Sequence, residues 1–168
     1  MARSTLHATI DKSGRIGFVD VRTAESIVNL DGQLLAIQVA DAAAAPMQPR
    51  EKIEAVAGQG LIGDRYAACN GKYPADEDGN VLPKREVTLI EAETLAAIKH
   101  ESGAEFSHAD TRRNLLTEDV PLNQLVGKSF SIGEVELRGV ELCEPCSYLE
   151  GMHPGIMKPL IHRGGLRA

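Results

Sequence analysis

The chain has 168 residues, a length that suits one domain with a substantial apolar core. Hydrophobic residues make up 43% of it and charged residues 25%, and no apolar run approaches the roughly 18 residues of a membrane span. The 18 basic and 24 acidic side chains give a net charge of −6, which opposes non-specific attraction to a polyanion, so we expect neither a nucleic acid nor a membrane as partner.

The amino terminus and the cysteine count bear on the compartment. Residues 1–10 lack the apolar stretch of a secretory signal, so we expect a cytoplasmic protein. Three cysteines, an odd number, do not look like a secreted disulfide framework, and a reducing compartment would keep them as thiols. Their placement therefore needs an explanation from chemistry or from packing.

The amino-terminal part of the chain has the pattern of a β-hairpin. Apolar and polar residues alternate over 6–10, the pattern breaks at 11–14, and it resumes at 16–19. We therefore expect residues 1–29 to form an extension, built as a β-hairpin, that packs on a main domain of residues 30–168.

The middle of the chain combines short strands, loops and one helix. Strand composition is found at 34–39, 53–56 and 87–90, and the polar, glycine- and proline-containing stretch 70–84 predicts an exposed loop. From residue 91 to 100 the pattern becomes helical.

The last third of the chain is predicted to be mostly strand and turn. Apolar residues alternate around a turn at Gly133 and Glu134, and the alternation continues up to Cys143. Many short strands with glycine-rich connections and few helices predict a mainly β fold, a closed or nearly closed β-barrel with a few peripheral helices.

The sequence Cys143-Glu144-Pro145-Cys146 places two thiols at the end of a predicted strand. A zinc site would need about four ligands, and the remaining candidates lack a second paired motif. A thioredoxin-like redox pair favours a βαβ setting, which strand-rich surroundings do not provide. Besides these two less favoured interpretations, two others stay open: both cysteines pack as small hydrophobic residues and resist alkylation, or one of them works as a thiolate.

Three cationic segments accompany these cysteines: Gly63-Asp64-Arg65, Arg112-Arg113-Asn114 and His162-Arg163-Gly164-Gly165. Guanidinium groups suit phosphate or carboxylate, and paired glycines let backbone amides approach an anion. Taken singly, each segment is more typical of an ordinary solvated or salt-bridged surface than of a binding site. An anion site would require the segments to converge in the fold.

These segments, in this order, resemble the MOSC domain, which is named for the carboxy-terminal domain of molybdenum cofactor sulfurase. The resemblance covers the chain from about Leu34 to its end. It rests on six segments, at 60–65, 85–90, 112–115, 125–133, 143–146 and 163–166. Since the family has a mainly β, barrel-like fold, the resemblance implies this fold for residues 30–168. Family members usually continue into a further strand, so we expect the domain, which stops at Ala168, to lack it.

The resemblance also implies a cofactor and a site for it. The characteristic cysteine of the family corresponds to Cys146, which would ligate molybdenum or carry sulfur as a persulfide. The residues Arg112, Arg113 and Arg163 would hold the phosphate and the pterin edge of molybdopterin, and Asn114 would supply directional hydrogen bonds. A soft thiolate suits a sulfur-ligated molybdenum, and nearby guanidinium charges would favour the thiolate.

Three further residues belong to this predicted site. Gly164 would let backbone amides come close to the anion. Asp64 would orient Arg65 or His162, or would only cap a turn.

The function implied by the resemblance is binding of the molybdenum cofactor, a small anionic molecule, with sulfur transfer or the reduction of N-hydroxylated compounds. This would be a sulfurtransferase- or molybdenum-oxidoreductase-like activity served by a sulfur donor or a redox partner protein. The alternative is a non-catalytic carrier or binding module for a small anionic ligand, which would tolerate Cys146→Ser. Family descriptions also mention pyridoxal phosphate, but no lysine stands out as a Schiff-base former, so we assign that link to the separate aminotransferase-like half of the sulfurase.

Overall fold

The structure is a computed structural model, and it describes residues 3–7, 18–22, 27–73, 76–78 and 81–168. Its strands are β1 (Arg3–His7), β2 (Phe18–Arg22), β3 (Ile27–Val39), β4 (Gln48–Arg50), β5 (Lys52–Val56), β6 (Gly60–Leu61), β7 (Thr88–Glu91), β8 (Leu115–Glu118), β9 (Ser129–Ile132), β10 (Val135–Arg138), β11 (Glu141–Leu142) and β12 (Leu166–Arg167). Its α-helices are α1 (Ala92–Ser102), α2 (His108–Thr111), α3 (Ser147–Met152) and α4 (Met157–Leu160). Short 3-10 turns cover Pro83–Arg85 and Leu122–Leu125.

The described strands form two sheets. The smaller sheet has the order β1-β5-β6, and the larger has the order β10-β9-β2-β3-β8-β7-β12-β11 with β4 paired to β3. The pair of β7 and β8 is parallel, and the other pairs of these strands are antiparallel. The predicted mainly β fold is therefore confirmed. Within the described residues β10 and β11, the two ends of the larger sheet, do not pair with each other, so closure into a barrel stays a prediction.

The two strands that were predicted to form an amino-terminal hairpin lie in different sheets. Strand β1 pairs with β5, whereas β2 pairs with β3 and with β9. The hairpin at this end of the chain is the one between β2 and β3, with Arg22 opposite Ile27. Alternation of apolar residues identifies a strand with one buried face, but it does not identify the partner strand. The turn predicted at 11–14 lies outside the described residues, and the boundary of the extension at residue 29 stays a prediction.

The sheets share one apolar core. Fully buried side chains from both sheets contact one another, and each of them loses nearly all of its exposure to water: Leu34, Ile37, Leu61, Leu89, Leu115, Phe130 and Leu166. Burial of each such side chain contributes about 1.5–3 kcal/mol to folding, so this cluster carries much of the stability.

A second apolar cluster attaches the helices to the larger sheet. It consists of Ile90 from β7, Ile98 from α1, Leu149 from α3, Leu160 from α4, and Ile156, which directly precedes α4. Cys146 packs against this cluster at the start of α3. The cluster therefore fixes the position of the predicted reactive thiol relative to the sheet.

The predicted helix at 91–100 is observed as α1. It ends at Gly103, which has a left-handed backbone with φ of 70°. The other three helices have four to six residues, too few for a helical period to be visible in the sequence. Where strand and turn were expected after Cys146, α3 and α4 are found instead. No helix in the described part of the chain is long and apolar enough to cross a membrane.

Candidate functional site

A buried carboxylate connects the segments around residues 64 and 114. Asp64 is 1% exposed, and its Oδ2 accepts hydrogen bonds from the backbone N–H of Ala40 (3.3 Å), from Arg65 Nη1 (3.1 Å) and from Asn114 Nδ2 (3.1 Å). Its Oδ1 accepts from the backbone N–H of Tyr66 at 3.2 Å. Both oxygens are occupied within the protein, so Asp64 holds three segments together rather than facing a ligand.

Asn114 uses its side chain in the same network. Its Oδ1 accepts from the backbone N–H and the Oγ1 of Thr88 at 3.2 and 2.8 Å, and its Nδ2 donates to the carbonyl of Gln38 as well as to Asp64. The residue is 2% exposed. In this arrangement Asn114 ties β3, β7 and β8 together, and its amide has no free face for a ligand.

The described hydrogen bonds of the Arg113 side chain all go to backbone carbonyl groups. Its Nε bonds to Gly164 O at 2.8 Å, its Nη1 to Thr111 O at 2.9 Å and its Nη2 to Cys143 O at 2.6 Å. The side chain is buried, with 7% exposure. Arg113 therefore joins the strand end that precedes the Cys143–Cys146 turn to the turn that contains the paired glycines.

Gly164 lies directly beside this arginine. A Cβ added at Gly164 would collide with the carbonyl oxygen of Cys143 and would lie 3.3 Å from Arg113 Nη2. Close packing of two backbone segments therefore accounts for glycine at this position, without any approach to an anion.

Arg163 points towards the outside of the fold. It forms a bidentate pair with Glu101 at the end of α1, with distances of 2.9 and 2.6 Å, and its Nε donates to Pro159 O at 2.6 Å. The hydrogen bond from Arg163 lowers the pKa of Glu101. The described contacts of Arg163 thus attach the carboxy-terminal turn to α1 and do not include the other predicted site residues.

Arg112 differs from Arg113 and Arg163 because one nitrogen of its guanidinium group has no hydrogen-bond partner among the described residues. Its Nη1 donates to Ala45 O at 2.7 Å, but its Nη2 is buried and has no hydrogen-bond partner among the described residues. Burial, and then the nearby charge of Arg65, lower the pKa of Arg112, while Tyr148 and Asp64 act in the opposite direction. Arg65 also donates from Nη2 to the carbonyl of Arg112 at 3.3 Å, so Asp64 and Arg65 support the backbone at this residue.

Two further buried polar atoms have no partner in the described part of the chain, Tyr148 Oη and His108 Nε2. Buried polar atoms without a hydrogen-bond partner are rare in proteins, so each one needs a physical explanation. His108 begins α2, and burial lowers the pKa of its ring to about 4, so the ring is neutral at pH 7.

Helices α2 and α3 meet at what we call the α2–α3 corner, formed by residues 108–112 and 146–153. Asp110 Oδ1 lies 3.4 Å from His153 Nδ1, which links the first helix to the end of the second. Cys146 precedes α3 without capping it through its side chain, and Tyr148 lies in the first turn of the helix. The corner therefore contains the thiol of Cys146 and all three unpartnered atoms.

The three cysteines have different surroundings. Cys143 is 1% exposed and its backbone N–H donates to Gly165 O, as expected of a core residue. Cys146 is partly exposed, and Cys69 is exposed on a distant stretch of sequence. The packing interpretation therefore suits Cys143, whereas Cys146 keeps a surface through which it can react.

The donors at the corner fit an anionic cofactor held by one protein thiolate. Two of the unpartnered groups, Arg112 Nη2 and Tyr148 Oη, are hydrogen-bond donors, and Tyr148 follows the partly exposed Cys146 by two positions in the sequence. Among the described residues, no three His, Cys, Asp or Glu side chains form a group that could hold a metal ion.

A separate cavity of about 490 Å³ opens between the smaller sheet and β10. Its walls are mainly apolar, and half-buried Glu86, whose pKa is raised by burial, lies at its edge. None of the predicted site residues lines it.

Sequence reasoning missed Tyr148 and His108. Tyr148 follows Cys146 by two positions and is one of three tyrosines in a chain with few aromatic residues, which is the signal that could have identified it. No comparable signal marked His108, because its burial follows from the fold.

Comparison with known proteins gives one family and one fold. A family model described as the MOSC domain matches residues 76–155, a range that contains both helices of the α2–α3 corner. The YuaD protein from Bacillus subtilis has a similar structure, with a TM-score of 0.56 and 13% identity over 99% of this chain and 87% of that one. At this identity the likeness concerns the fold alone. No curated protein matches the sequence significantly.

Proposed function

Because this chain is a MOSC domain protein, we propose that it binds the molybdenum cofactor at the α2–α3 corner. In this proposal Cys146 supplies the thiolate that ligates the metal or carries sulfur, and Arg112 holds the anionic part of the cofactor. The observation that carries the proposal is the guanidinium of Arg112, which is buried with one nitrogen unpartnered in the same corner as a partly exposed thiol.

The unpartnered nitrogen has an energetic consequence. A buried donor without an acceptor costs about 1–3 kcal/mol, and more when the group is charged. An oxyanion that accepts a hydrogen bond from Arg112 Nη2 would recover this free energy on binding. Since the nitrogen is buried, a covering side chain has to turn aside before the anion can reach it.

The other predicted site residues support Arg112 and Cys146 rather than touching the cofactor. Asp64 and Arg65 hold the backbone of Arg112, and Arg113 holds the carbonyl of Cys143, three residues before the reactive thiol. When bound, the cofactor would supply a redox-active, sulfur-ligated molybdenum, for which a soft thiolate is a suitable ligand.

Two reactions are compatible with a thiolate at this position. In sulfur transfer, the thiolate of Cys146 attacks the outer sulfur of a donor persulfide, which leaves a persulfide on Cys146 and releases the donor as its thiolate. Reduction of an N-hydroxylated compound consumes two electrons and two protons and releases water, so it requires a redox partner protein as electron donor. Both reactions need the sulfur of Cys146.

The first test is metal and pterin analysis of the protein purified from a host that makes the cofactor. We expect molybdenum and pterin in the natural chain and in Cys69→Ser, which removes an exposed thiol from another part of the chain. In Cys146→Ser we expect the molybdenum to be lost. A natural chain that carries no cofactor, and takes up none when it is supplied, would contradict the proposal.

A non-catalytic carrier of a small anion is the second candidate. It is favoured by the packing of Cys146 against the apolar cluster of α1, α3 and α4, which gives the thiol a structural use of its own. This candidate requires Arg112 but not the sulfur, so Cys146→Ser would keep the pterin and the affinity for the anion.

A further inference from the structure

Tyr148 carries a hydroxyl group that the described fold does not use. Its Oη is buried and has no hydrogen-bond partner in the described residues. A buried tyrosine hydroxyl normally finds one, because removing it from water without compensation costs free energy. The partner of this hydroxyl is therefore to be sought outside the described chain.

Arg112 belongs to the same α2–α3 corner and has the same deficit. It caps the end of α2, which the 3.4 Å contact between Asp110 Oδ1 and His153 Nδ1 joins to α3, the helix of Tyr148. Arg112 Nη2 is likewise buried without an acceptor among the described residues. One N–H and one O–H donor, neither satisfied by the described protein, are complementary to an oxygen-rich anion.

The charges around the pair also favour an anion. The charge of Arg65 is balanced by Asp64 at 3.1 Å, whereas Arg112 forms no salt bridge within the part of the chain that is described. Lys72 Nζ lies 5.3 Å from the centre of the Tyr148 ring and adds a second positive charge over the same side chain. Among the described residues, neither the Arg112 guanidinium nor the Lys72 ammonium group forms a salt bridge with a carboxylate.

We infer that Tyr148 and Arg112 form a two-donor subsite for a phosphate-type oxyanion, with Tyr148 as a binding residue. The subsite deepens the proposed function and rests on it for the identity of the whole ligand. Both donors are buried, so the anion enters when the exposed Lys72 side chain, which lies over the Tyr148 ring, turns aside.

The test is calorimetric titration with inorganic phosphate and, in a second arm, with glycerol 2-phosphate as a simple ester. The variant is Tyr148→Phe, which removes the hydroxyl and keeps the ring under Lys72. The matched control is Tyr66→Phe, because Tyr66 is also partly buried and also acts on Arg112, but its hydroxyl is not among the unpartnered atoms. We expect Tyr148→Phe to weaken binding about tenfold, the effect of one hydrogen bond to an anion, and Tyr66→Phe to change it less than twofold.

The two arms distinguish free phosphate from a phosphate ester as the natural anion, according to which binds the natural chain more tightly. Equal affinity of the natural chain and Tyr148→Phe in both arms would overturn the inference, as would the absence of binding to the natural chain. Neither result depends on Cys146. If the chain binds molybdenum but not phosphate, the proposed function stands and the subsite is contradicted. If phosphate binding depends on Tyr148 but no molybdenum is bound, the subsite stands and the proposed function is contradicted.

Discussion

Arg113 is expected to stabilise the fold by joining three backbone segments, and this can be tested by replacing it with methionine. The substitution keeps an unbranched side chain of similar length but removes the donors to Thr111 O, Cys143 O and Gly164 O. Since the site is buried, water does not readily replace the lost donors. Three carbonyl groups from different parts of the chain would each lose a hydrogen bond.

The expected loss is large compared with the stability of a small domain. Hydrogen bonds from a charged donor contribute about 1.5–3 kcal/mol each, and removing the guanidinium also removes the free-energy cost of burying its charge. The net loss is therefore about 3–5 kcal/mol, out of the roughly 5–15 kcal/mol that separates folded from unfolded states. With a typical urea dependence of about 2 kcal/mol per molar, the unfolding midpoint would fall by about 2 M.

The assay is equilibrium unfolding in urea, followed by circular dichroism, with Arg163→Met as the control. Arg163 also donates three hydrogen bonds, but its side chain is one-third exposed and its partner Glu101 faces water. Its replacement is expected to shift the midpoint only slightly. If both substitutions lowered the midpoint equally, burial of the three-carbonyl arrangement would not be the source of the stability.

Two further predictions concern single residues of the framework. Gly165→Ala is expected to lower the free energy of unfolding by more than about 3 kcal/mol, because φ is +98° and a Cβ would collide with the carbonyl of Leu89. The control, Gly127→Ala, has φ of +78° but open space around it, and is expected to cost about 1 kcal/mol. Equal losses in urea unfolding would contradict the importance of the close contact at Gly165. Burial lowers the pKa of His108 from 6.5 to about 4, so the unfolded chain binds its proton first and the free energy of unfolding falls by roughly 3 kcal/mol as the pH drops from 6.5 to 4. This slope, measured by urea unfolding at several pH values, should flatten in His108→Gln and persist when the exposed His100 is replaced by glutamine; an unchanged slope in His108→Gln would contradict the assignment.

The strands of this fold were largely predictable, but their partners were not. Alternation of apolar residues located β5, β9 and β10 within a residue or two, because a strand with one buried face imposes a period of two on its own sequence. The pairing of β1 with β5, about fifty residues apart, depends on contacts that leave no local pattern. The amino-terminal hairpin was therefore assigned to the wrong pair of strands.

The candidate site was predicted in part, for a similar reason. Charged and amide side chains near a cysteine are typical of an anion site, and of the residues selected from the sequence and the resemblance, Cys146 and Arg112 remain candidates for contact with a ligand. The same approach selected Asp64 and Asn114, which also have hydrogen-bond partners 24 to 76 positions away in the sequence. Only the folded chain reveals that these side chains are saturated by one another.

Adjacent Arg112 and Arg113 differ in how many of their guanidinium nitrogens have a hydrogen-bond partner among the described residues, because the backbone turns between them. Arg112 has a left-handed conformation with φ of 59°, at the position after a helix where glycine or asparagine is common. A non-glycine residue in this conformation costs of order 1 kcal/mol, and Arg112 adds to this the cost of a buried, unpartnered donor. Glycine at this position would relieve both costs at the loss of one hydrogen bond to Ala45. Stability of the fold alone therefore gives little reason for an arginine here, whereas an anion bound at Nη2 does.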